Sequence, residues 1–160
     1  MHANESNSPN ESHPMDFNDC DSHQTPERCT FDYAVIRVVP RVEREEFMNV
    51  GVIVYCAERG FLAAKVELDS DRLKAFAPEL DAQQIEDYLQ TIPLICDGGQ
   101  AAGPIGASPQ RARFHWLVAP RSTLVQTSPV HCGLSDNPAE ALECLMDKLV
   151  RLPSTDKYSS

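Results

Sequence analysis

The chain has 160 residues, enough for one hydrophobic core and too few for two ordinary domains, and its hydrophobic fraction of 42% suits a packed globule. With 24 acids against 14 bases its net charge is −10, which repels phosphate backbones at long range and argues against non-specific nucleic-acid binding. No apolar stretch approaches the roughly 20 residues that cross a bilayer, and the first residues lack the basic start and apolar core of a secretory signal, so a cytoplasmic protein without membrane contact is expected.

Residues 1–29 are rich in Asn, Ser, Asp, Glu, Pro and His and hold almost no large apolar side chain to offset the entropy of ordering them. They predict a disordered acidic tail. Its Asp19, Cys20, Asp21 and His23 offer metal-ligating atoms, but their spacing matches no tetrahedral site. The six cysteines form no C-x-x-C pair, and without a secretory route their even count does not imply disulfides. Cys56, Cys96 and Cys144 lie in apolar surroundings and read as small buried hydrophobes. Neither a metal nor a cofactor is expected.

Tyr33–Val39 is a strand by its β-branched content, and Pro40 stops it because proline cannot donate to a ladder. A second strand runs from Glu46 or Phe47 to Cys56; from Val50 to Tyr55 it is apolar on both faces, as in a central strand covered on both sides, and Gly51 marks a bulge or a close backbone approach. After the Glu58-Arg59-Gly60 turn, Phe61–Leu68 alternates, with Leu62, Ala64, Val66 and Leu68 on one face and Lys65 and Glu67 on the other. Asp69 or Ser70 caps a short helix through Ala77. Asp81 caps a longer one whose stripe is Ile85, Tyr88, Leu89 and Ile92, and Pro93 should end or bend it.

Residues 97–110 are a loop whose glycines fit no phosphate cradle. Phe114–Ala119 and Thr123–Thr127 read as two further strands around Pro120-Arg121. Asn137 as N-cap, Pro138 at the first helical position and Glu140 three after the cap open a final helix, with the stripe Ala141, Leu142, Leu145, Met146, Leu149 and Val150. The expected fold is a single α+β domain over 30–152: a mainly antiparallel sheet of about five strands with two to three helices packed on it, followed by a tail over 153–160.

Two groups of residues could carry chemistry. Arg37 lies inside a strand, where an unpaired guanidinium is costly; it needs Glu45, Glu46, water or a ligand anion, with Glu46 and Asn49 close by in sequence. The second group is Arg113, His115, Trp116, Arg121, Ser122, Thr123, Gln126, Ser128 and His131, polar side chains strung through apolar strands. On a strand His115 and Trp116 would point to opposite faces, and Trp116 reads as core. A Ser-His-acid triad can be assembled on paper, but no G-x-S-x-G elbow supports it, and the carboxylate cluster of a metal nuclease is missing.

The segments Arg44-Glu45-Glu46-Phe47-Met48-Asn49-Val50-Gly51-Val52 and Phe114 to His131 resemble the signatures of a bacterial family of unknown activity, domain of unknown function 3037. The likeness runs from about Phe31 to Leu152. It implies one possible partner, a HipA-like kinase homologue, because some members are encoded beside such proteins. Two functions follow. One is a non-enzymatic interaction or regulatory module with residues 41–49 and 120–133 as contacts. The other is an enzyme or receptor for a phosphate-bearing ligand, held by Arg37, Arg113 and Arg121 with His115 or His131 moving protons.

Overall fold

The computed structural model describes residues 27–153, so the Asp19, Cys20, Asp21 and His23 group and most of both predicted tails lie outside the described residues. The order is β1 (Cys29–Val38), β2 (Met48–Cys56), β3 (Phe61–Val66), α1 (Ser70–Phe76), α2 (Ala82–Asp97), α3 (Gln110–Val118), β4 (Val125–Thr127), β5 (His131–Ser135) and α4 (Pro138–Leu149), with short 3₁₀ turns at 42–44, 100–102 and 104–107. This is an α+β fold around one open antiparallel sheet of five strands.

Strand β1 sits at its centre. It pairs β2 along one side, and on the other it pairs first β5, through Cys29–Tyr33, and then β4, through Ile36–Val38. The β4–β5 junction is held by Ser128, whose N–H donates to Val35 O at 2.8 Å while its Oγ accepts from Val35 N–H at 2.9 Å, taking the place of a ladder bond.

Two cores form, one on each face. Ile36, Val38, Met48, Val50, Ile53 and Leu62 pack under α1, α2 and α3; Cys29, Phe31, Val52, Val54 and Cys56 pack under α4. The unbroken apolar run of β2 follows from this double cover. Leu142, Met146 and Val150 are the fully buried part of the α4 stripe, each contributing about 1.5–3 kcal/mol by burial. Asn137 caps α4 by accepting from Ala139 N–H, and Ser135 Oγ accepts from Asn137 N–H, the role a capping-box Glu140 would have filled. Around Gly51 the register between β1 and β2 shifts by one residue, and a Cβ there would lie 2.5 Å from Lys65 O, so the glycine marks both a bulge and a close approach.

Several expectations are overturned. Phe114–Ala119 is not a strand: Phe114–Val118 is the greater part of α3. Of the two outcomes expected at Pro93, an end or a bend, the end does not occur, since the helix continues to Asp97. A strand at His131–Ser135 was not foreseen. Cys144 is exposed and Cys29 buried, and Trp116, at 43% exposure, is not core. No helix among the described residues is long and apolar enough to cross a membrane.

Candidate functional site

In an antiparallel sheet, register partners project from the same face. Asn49, Arg37 and Gln126 are such partners across β2, β1 and β4, so they form one row. Asn49 fixes which face this is: its Nδ2 donates to Leu149 O at 3.0 Å, at the C-terminal end of α4. The guanidinium of Arg37 lies over the Phe47 ring, 3.9 Å from its centroid, a cation–π contact. Partial burial lowers its pKa. Among the described residues it forms no ion pair, and Arg37 Nε and Asn49 Oδ1 are buried without a hydrogen-bond partner. Of the partners open to Arg37 from sequence, neither Glu45 nor Glu46 pairs with it. Glu46 binds Arg44 instead at 3.0 Å, an exposed pair that lowers the Glu46 pKa.

His131 shares the face of this row, because its register partner Tyr33 does; their rings lie 5.3 Å apart. Tyr33 and Arg37 stand four positions apart on β1, about 13 Å at the rise of an extended strand, too far for one small ligand. The remaining cationic candidates are on the other side of the sheet, with α3. Arg113 is 8% exposed and donates to Ser108 O, Ile95 O and Cys96 O, which ties it to the end of α2. Arg121 lies 4.0 Å over the Trp116 ring and donates to Trp116 O. His115 is exposed on α3. Ser128, bonded to Val35 N–H and to Pro129 O, is buried in the sheet. The candidate residues thus divide between two faces: strand register brings Arg37, Asn49 and Gln126 into one row, while Gln126, whose Nε2 donates to Thr123 O, also lines a small cavity of about 70 Å³ with Arg121.

What the structure does gather is a rim. β1 ends at Val38, β2 begins at Met48 and β4 begins at Val125, all in register, so residues 39–47 and 119–124 leave the same end of the sheet. Val39 N–H donates to Leu124 O at 2.7 Å and joins the two excursions. The rim exposes Val42, Phe47 and Leu124. Beside Leu124 an apolar groove of about 220 Å³ runs between it and Gln84, Ile85 and Tyr88 of α2. Glu45 adopts a left-handed backbone, φ 54°, the one non-glycine residue to do so among the described residues. That conformation costs about 1–2 kcal/mol and holds the 42–44 turn in place. Phe47 and Leu124 fall inside the expected contact segments 41–49 and 120–133 without having been singled out, although an aromatic ring inside a charged stretch was a signal for Phe47; Tyr88, expected in the buried stripe of α2, is exposed.

Among the described residues, no group of three His, Cys, Asp or Glu side chains is placed to hold a metal. A family model matches residues 33–150, from within β1 to the residue after α4. The chain belongs to the family described as protein of unknown function, DUF3037. The DUF3037 match contains both signature segments, the row and the rim. No curated protein and no solved structure matches the chain.

Proposed function

We propose that this DUF3037 member is a non-enzymatic interaction module whose partner protein docks on the rim formed by residues 39–47 and 119–124. The observation that carries this reading is the Arg37–Phe47 pair. In a chain of 24 acids, a partly desolvated guanidinium has no carboxylate among the described residues and is covered on one side by an exposed ring. An aromatic and an arginine side by side on an exposed border have the composition of an interaction hot spot, and a partner acid would supply the missing counter-charge. The division of the other candidates between two faces supports binding over catalysis.

The first partner to test is a HipA-like kinase homologue from the same host, purified and titrated against the full chain by calorimetry. Phe47→Asp and Arg37→Ala are each expected to weaken binding by about 30-fold, the effect of a hot-spot residue, with unchanged melting temperatures. Equal affinity of both variants and the wild type would remove the rim from the interface, and no binding would remove this partner.

The lone guanidinium also favours a second reading, a receptor for a small phosphate-bearing anion. That reading now rests on Arg37 with Asn49 and Gln126, since Arg113 is bound to backbone carbonyls and Arg121 lies with α3. Titration with inorganic phosphate, followed by the NMR signal of the Arg37 Nε–H, tests it; no movement of that signal rules it out.

A further inference from the structure

Strands β4 and β5 together form one outer border of the sheet, and among the described residues they pair only with β1. The bonds Val39 N–H to Leu124 O and Ser128 N–H to Val35 O set the alternation of backbone groups. Odd-numbered residues of β1 turn theirs toward this border, and their partners His131, Gly133 and Ser135 turn theirs back. Cys132 and Leu134 therefore direct their N–H and C=O groups outward. Gly133 also lets β5 lie close over Phe31, since a Cβ there would sit 2.4 Å from the Phe31 ring.

Natural sheets protect such borders with charges, prolines or covering segments. Among the described residues this one has little protection. From Ser122 to Ser135 no residue carries a formal charge, and β5 itself contains no proline. Leu134 is 66% exposed, and Val130 and Cys132 are exposed as well. Elsewhere the net charge of −10 drives two copies apart, whereas along this uncharged border they meet without like-charge contact.

We propose that β5 pairs antiparallel with β5 of a second copy, extending the sheet across a two-fold axis. The occupant is argued from the strand itself: His131–Ser135 is an uncharged extended segment with outward N–H and C=O groups in the alternation that such a border accepts. Antiparallel pairing of a strand with its own copy is two-fold symmetric, so the contact closes at a dimer instead of growing into a fibre. The inference is independent of the rim, which lies at the other end of β1.

The test is sedimentation equilibrium of the full chain under reducing conditions over a wide range of concentration, with hydrogen exchange of the Cys132 and Leu134 amides. The wild type is expected to reach twice the chain mass as concentration rises, with both amides protected in the dimer and exchanging freely on dilution. Leu134→Lys, at an exposed position, is expected to shift the association midpoint by about tenfold or more without lowering the melting temperature measured at concentrations where the wild type is monomeric. Val130→Lys serves as a second variant with the same expectation. A wild type that stays monomeric at every concentration overturns the proposal. So does a dimer that neither variant weakens, which would place the contact elsewhere, and so does protection of the Leu134 amide in the monomer, which would mean that the chain covers its own border.

Discussion

Arg113 offers the sharpest test of the reading that separates structure from function here. Its guanidinium donates through Nε to Ser108 O at 2.9 Å and through Nη1 to Ile95 O at 2.8 Å and to Cys96 O. Ile95 and Cys96 stand in the last turn of α2, where helix carbonyls have no partner of their own. In Arg113→Ala those two carbonyls stay buried and lose their donor, at about 1–2 kcal/mol each, and the close approach of the guanidinium to Gly98 goes with them. The loss of the buried charge returns part of this, so the net destabilisation is about 3 kcal/mol. For a folded unit of this size that lowers the melting temperature by roughly 10 °C. Arg113→Lys restores only part of the loss, because an ammonium group cannot span three carbonyls as a planar fork does. The assay is thermal and urea unfolding followed by circular dichroism. A melting temperature within a degree or two of wild type for Arg113→Ala would refute the argument and return Arg113 to the list of ligand contacts.

Ser128→Ala leaves the buried N–H of Val35 without an acceptor and should cost about 1–3 kcal/mol in urea unfolding; Ser128→Thr, which keeps the hydroxyl, should lose less. Gly51→Ala forces a methyl group against Lys65 O and Ile36, and is expected to destabilise by about 3 kcal/mol or to prevent folding, read as loss of the cooperative melt. Arg151 joins Glu67, Glu143 and Asp147 and so ties α4 to the segment just after β3, and Lys65, with Arg151 next, depresses the Glu143 pKa. A carboxylate with a depressed folded pKa stabilises above its unfolded pKa and loses that contribution as pH falls through the folded value. The melting temperature of Arg151→Met should therefore lie below wild type at pH 7 and converge with it below about pH 4. Burial pushes the Cys96 thiol up to about 12, with Asp97 adding to the effect, so alkylation at pH 8 should modify Cys144 in the folded protein and reach Cys96 only at the rate of global unfolding.

Phe114–Val118 shows where local sequence stops being informative. Aromatic and β-branched residues there favour a strand, and no polar side chain caps the segment. Yet Phe114 stacks on Tyr55 at 5.0 Å and Arg113 reaches the end of α2, two contacts that α3 makes because it is a helix. Pro109, directly before the first helical residue, was the weak local sign. Pro93 failed as a stop for a related reason: the buried Ile95 and Cys96 beyond it gain from continuing the helix against the core.

Periodicity and caps alone determined the strands of the β1–β3 meander, the apolar stripe of α4 and the α+β class, because these depend on residues two to four apart. The grouping of Arg37 with Asn49 and Gln126, the separation of Arg113 and Arg121 from Arg37 and Asn49, and the meeting of residues 39–47 with 119–124 were decided by tertiary structure. Strand pairing sets them across dozens of residues, and a one-residue change of register would send each side chain to the opposite face.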